Sequence, residues 1–114
     1  MADLTITSRR DGKVGVLVLS GEARLECSQA LRTEAKSLVA AGVKSLLVDL
    51  RGLTFADSAS VGALLEMRKA CVAAGGQVVL VACPARLLRQ MSDMGLGGRF
   101  LYAPDEAAGK KALG

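Results

Sequence analysis

Residues Leu46 to Val81, LLVDLRGLTFADSASVGALLEMRKACVAAGGQVVLV, decide the fold because a helical pattern lies between two apolar runs. The first run, SLLVDL from Ser45 to Leu50, reads as a strand covered on both faces, since a strand with one wet face alternates apolar and polar positions. Val61, Leu64, Leu65 and Val72 then recur at helical spacing up to the stop AAGG, with Arg68 near the edge of the stripe. A second apolar strand, QVVLVA, follows at once. A strand, a helix and a second covered strand form a parallel crossover unit.

Outward from this unit the same alternation continues. At the N-terminal side, Leu4 and Ile6, then Val14, Val16 and Val18, alternate with other residues around RRDGK, whose Asp11-Gly12 pair signals a tight hairpin. Leu31, Ala35, Leu38 and Val39 predict a first helix, with Ser28 as its cap and Gly42 as its stop. At the C-terminal side, Pro84 opens a helix that places Leu87, Leu88, Met91 and Met94 along one face and stops at Gly95. RFLYA reads as a short edge strand, and PDEAAGKKALG as a last short helix with acidic residues in its first turn. The expected fold is α/β: one domain over residues 1–114, with a mixed sheet of an N-terminal hairpin plus mainly parallel strands, packed with about four helices.

Composition narrows the chemistry. The 114 residues are 51% hydrophobic and 23% charged, enough to supply one continuous core. Aromatics are only 3%, with no Trp, so Leu, Val, Ala and Met must fill that core. The absence of His removes Ser-His and Cys-His dyads and, with no zinc-like Cys spacing, leaves no expected metal or cofactor. Cys27, Cys71 and Cys83 form no C-x-x-C pair and read as small core hydrophobes. The net charge of +4 comes from scattered Lys and Arg with few aromatics to stack bases, which argues against nucleic acid. No signal-peptide pattern opens the chain, and the run Val14 to Leu19 is too short to insert in a membrane, so a cytoplasmic location is expected.

The chemistry-bearing cluster is the start of the central helix, where Asp57, Ser58 and Ser60 place three small polar side chains within four residues. One oxygen-bearing cap suffices for a helix start. Asp57 reads both as that cap and as a contact to a partner, Ser58 as a cap, and Ser60 as an exposed first-turn residue. Gly52 and Gly62 read as tight-turn and close-packing positions. A small nucleotide-binding enzyme stays open as an alternative, since ligands bind at strand ends of parallel sheets, although neither GxxxxGK[ST] nor GxGxxG occurs.

Taken together, Asp49, Leu50, Gly52, Phe55, Asp57, Ser58, Gly62, Leu64 and Leu65 resemble the signature of the STAS domain, and LSGEA at Leu19 to Ala23 resembles its G-E-L-D turn. The resemblance implies a non-catalytic module of the anti-sigma factor antagonist type. Its partner would be an anti-sigma factor that is also a serine kinase, or another regulatory protein, bound at the junction through Arg24, Asp57, Ser58, Ala59 and Ser60. It equally leaves open a STAS subunit of a transporter or signalling assembly, and a dimer. In the antagonists one Ser at this junction is phosphorylated and binding is switched off. The residue aligned with that acceptor is Ala59, which leaves Ser58 and Ser60 as the neighbouring hydroxyls, and Arg24 stands where the family often carries an acid.

Overall fold

The computed structural model describes residues 3–114, and its strands lie side by side in the order in which the chain makes them. β1 (Thr5–Asp11) turns at Gly12 and pairs antiparallel with β2 (Val14–Ala23). The next three, β3 (Ser45–Ala56), β4 (Val78–Val81) and β5 (Leu101–Ala103), each add parallel to the one before. The helices α1 (Leu25–Ala40), α2 (Ser58–Ala73), α3 (Ala85–Asp93) and α4 (Glu106–Ala112) fill the connections and the C-terminal end. This is the mixed sheet with a hairpin and a parallel part that the alternating pattern predicts.

Period-two alternation sorts the strand residues onto two faces. Leu17 and Leu19, then Leu46, Val48 and Leu50, then Val78 and Leu80 face α1, α2 and α3 and form the larger core with Leu31, Val61, Leu64, Met67, Leu87 and Met91. Val16, Leu47, Val79 and Val81 point to the other face, where Leu113 packs on them. α4 can lie close to that face because Gly109 carries no side chain: a Cβ there would already stand 3.0 Å from Leu47 Cδ1 and Val81 Cγ2. Two ion pairs, Arg9 to Glu106 and Lys110 to Asp11, tie the same helix to β1.

The helix stops fall where the glycines predict. α1 closes with Val43 N–H donating to the Leu38 carbonyl (3.1 Å) and Gly42 N–H to Val39 (3.0 Å), a Schellman turn that needs the positive φ of +105° at Gly42. α2 and α3 end in the same turn at Gly75 and Gly95. The helix starts are less regular. α1 begins three residues before the expected cap Ser28, which is buried inside the helix and donates its hydroxyl to the Leu25 carbonyl at 2.8 Å.

Three elements also differ from the sequence reading. β3 continues six residues past Leu50 because its partner β2 continues with it, through register shifts that pair Ser20 with Gly52 and Ala23 with Ala56. The buried stripe of α2 is Val61, Leu64, Met67 and Cys71, with Val72 half exposed. In α3, Leu87 and Met91 are buried, but Leu88, and Met94 at the C-cap, face outward. Of the three thiols, all free, Cys71 is in the core and Cys27 and Cys83 are half-buried. Burial pushes the Cys71 and Cys83 thiols up to about 11, so both are neutral, poorly nucleophilic groups near pH 7.

Candidate partner-binding site

β2 and β3 end together, and this common end builds the site. Asp57 N–H donates to the Ala23 carbonyl at 3.0 Å, so the chain leaving β3 is still held to the end of β2 as it enters α2. Thr54 Oγ1 donates to the Gly21 carbonyl at 3.0 Å three residues earlier in β3. The starts of α1 and α2 are thereby brought side by side.

Asp57 occupies the N-cap of α2 in an extended conformation, φ −87° and ψ 177°. Its Oδ1 accepts from Ser60 N–H and from the Ser60 hydroxyl, both at 2.9 Å. Its Oδ2 accepts from Leu25 N–H at 2.7 Å, thirty-two residues away. One carboxylate therefore satisfies a free backbone donor at the start of each of two helices. Desolvation pushes its pKa up, but the hydrogen bonds from Ser60 and Leu25, with the nearby Arg24 charge, outweigh it and hold the group below 3.8.

The three polar residues of the junction do not share one role. Asp57 is the cap; Ser58 is the first helical residue and exposed; Ala59 is half-buried. Ser60, expected on the surface, is only 2% exposed because its hydroxyl turns back to Asp57. Gly52 lies within β3, where a Cβ would stand 2.7 Å from Ser20 Oγ, so it is a close-packing rather than a turn position. Gly62 has no such neighbour: the nearest atom to its Cβ direction is Arg32 Nη2 at 3.9 Å.

Arg24 stands at the N-cap of α1 without a side-chain capping bond. Its Nη2 pairs with Glu22 Oε1 at 2.9 Å, and its guanidinium lies 4.5 Å from the centre of the Phe55 ring. The Arg24 charge is thus balanced within the same turn. Next to it Leu25 is 65% exposed, the most exposed large apolar side chain described. Sequence reasoning passed over Leu25 because the expected cap Ser28 leaves it outside the helix. The signal available was its offset from the buried Leu31 and Ala35, which are four residues apart.

This is a small α/β domain whose exposed apolar residue, cation–aromatic pair and capped helix start meet at one end of its sheet. Residues 6–102 match the family described as "Mlab, STAS domain", and the chain belongs to that STAS family. Its fold is similar to an anti-sigma factor antagonist from Mycobacterium paratuberculosis (TM-score 0.84, 22% identity, covering 97% of this chain and 94% of that one). It is also similar to the Bacillus cell fate determinant SpoIIAA in its phosphorylated form (TM-score 0.77, 20% identity, 95% of this chain and 99% of that one). Part of the murine Slc26a9 anion transporter matches as well (TM-score 0.76, 17% identity), with 92% of this chain corresponding to 18% of the transporter. No curated protein matches the sequence significantly. Among the described residues no helix is long and apolar enough to cross a membrane.

Proposed function

We propose that this chain is a non-catalytic regulatory module that binds a protein partner in the manner of an anti-sigma factor antagonist, using Leu25, Arg24 and Phe55 together with the exposed start of α2. The observation that carries the reading is the exposure of Leu25 between the two helix starts. A large exposed apolar side chain next in the chain to the Arg24–Glu22 ion pair has the composition of a binding centre with a polar rim. Catalysis has little support at the same place. Both Asp57 oxygens are engaged and its pKa is lowered, which makes it a poor general base.

The likeness to antagonists suggests an anti-sigma factor with serine kinase activity as the partner. A second reading, a STAS subunit of a transporter or other assembly without a serine switch, is favoured by Ala59 at the position aligned with the phosphate acceptor. Affinity capture from the native host with wild type and Leu25→Ser separates the two. A small ATPase-like kinase, captured by wild type and lost with Leu25→Ser, supports the first, and transporter subunits lost in the same way support the second. Capture that is equal for both variants overturns the proposed face.

A further inference from the structure

A groove of about 850 Å³ runs between α3 and β5. One wall is α3, which buries Leu87 and Met91 in the core, and the other is the end of β5. Leu80, Ala82 and Ala103 from the strand ends, Leu88 from α3 and the ring of Tyr102 give it an almost wholly apolar lining. The Tyr102 ring is fixed as a wall, since its hydroxyl donates to the Gly97 carbonyl at 2.6 Å. The volume is that of a small-ligand site, and the position is where ligands sit in parallel sheets, beyond the carboxyl ends of the strands.

Two further features mark this groove. Ala82, at its inner end, holds a φ of +53°, the one positive value at a non-glycine residue described, and such strain concentrates at ligand sites. Arg89 is the single charged residue among those lining it, and it takes part in none of the ion pairs found among the described residues. An apolar trough with one unneutralised guanidinium at its rim is complementary to a molecule that is apolar along its length and anionic at one end.

We propose that the groove between α3 and β5 binds a small linear amphiphile bearing one anionic group, its chain along Ala82, Leu88 and Tyr102 and its anion at Arg89. The site is separate from the junction of Asp57 and does not depend on the partner reading.

The test titrates the ¹⁵N-labelled full chain with octanoate, decanoate and dodecanoate below their micelle concentrations. Amide shifts should centre on Ala82, Leu88 and Tyr102, and affinity should rise about fourfold per added methylene until the groove is filled. Arg89→Gln should weaken decanoate about threefold to tenfold and leave decanol unchanged. Leu88→Glu, at a side chain already 42% exposed and so able to change without unfolding the protein, should weaken both. Absence of saturable binding, shifts centred on the Asp57 junction, affinity independent of chain length, or an equal effect of Arg89→Gln on acid and alcohol would each overturn the proposal. So would loss of a protein partner with Leu88→Glu in a chain that does not bind decanoate, because the groove would then receive a partner's side chains.

Discussion

Asp57 Oδ2 lies 2.7 Å from the Leu25 backbone nitrogen, so the cap of α2 is also the cap of α1. A residue that joins two helix starts carries more stability than a single cap. Losing one cap costs about 1 kcal/mol, and the second bond brings the cost of Asp57→Ala to about 1–2 kcal/mol. The expected outcome is a drop in Tm of roughly 5–10 °C. Asp57→Asn should fall about midway, because its amide oxygen can still accept from Ser60 while its NH2 group cannot accept from Leu25. Thermal unfolding followed by circular dichroism measures all three; a curve for Asn identical to wild type would mean that the bond to Leu25 contributes nothing.

Leu25 separates binding from stability. Its side chain is largely in water in the free protein, so Leu25→Ala should change stability by no more than about 0.5 kcal/mol. Partner affinity should fall at least about tenfold, as for an apolar anchor at the middle of an interface. Calorimetric titration with the captured partner, beside a melting curve, gives both numbers. A variant that binds like wild type would remove Leu25 from the face.

Acid should act through the same carboxylate. The folded pKa of Asp57 lies below 3.8, so the unfolded chain takes up its proton first. The stabilising contribution is therefore fully present above about pH 4 and is lost as pH falls through the folded value. Asp11, lowered by its hydrogen bond and ion pair with Lys110, acts in the same direction from the surface. Wild type should lose stability as pH falls below about 4, and Asp57→Asn should show a shallower decline there. Parallel slopes for the two proteins would show that Asp57 titrates alike in both states.

The helix ends were legible and the start of α1 was not, for one physical reason. A Schellman turn is local: it needs a glycine a fixed number of residues past the helix, as at Gly42, Gly75 and Gly95. The cap of α1 comes from Asp57, thirty-two residues along the chain, so Ser28 stood out as the nearest capping residue although it is buried within the helix. The length of β3 was hidden in the same way. Arg51, Gly52 and Thr54 break its apolar run, and only the pairing with β2 carries the strand to Ala56. At the site, Arg24 and Asp57 were read as neighbours from the family pattern, while Leu25 emerged only when the two helix starts were placed together. The hydroxyl of Ser60 turned inward because an acceptor, Asp57 Oδ1, was available three residues before it.

Two glycines of α2 and its exit should respond with opposite signs. Gly62 lies in the helix with open space around its Cβ direction, so Gly62→Ala should stabilise by about 0.5–1 kcal/mol through helix propensity. At Gly76 a Cβ would collide with the Lys44 carbonyl, a backbone atom that cannot swing away. Gly76→Ala should cost at least about 1–3 kcal/mol. Urea unfolding of both variants checks the pair, and a destabilised Gly62→Ala would mean that the gap beside Arg32 is needed for the Arg32–Glu66 ion pair between α1 and α2.

The two candidate positions for a phosphate, Ser58 and Ser60, now differ in access. Ser60 is 2% exposed with its hydroxyl donated to Asp57, so a kinase could reach it only by opening the start of α2. Ser58 is exposed at the first helical position, and Ala59 offers no hydroxyl. Incubation with ATP and a captured kinase should therefore modify Ser58 or nothing, and never Ser60. A phosphate on Ser58 would gain from the positive end of the helix but would meet the Asp57 carboxylate next to it, whose pKa is already held down. Neighbouring helical positions also point about 100° apart, so an active site shaped for the position of Ala59 presents Ser58 poorly, and a misplacement of ~1 Å can cost about 10²-fold in rate. Ala59→Ser places a hydroxyl, with one added oxygen, at the position where the STAS resemblance puts the phosphate acceptor. If the docking face is that of a kinase-regulated antagonist, this variant should be phosphorylated far faster than wild type and should then release its partner. Peptide mass spectrometry after a timed reaction reads the site and the rate together. Phosphate on Ser60 would contradict the buried cap geometry, and an Ala59→Ser variant that stays unmodified would favour a STAS module working without a serine switch.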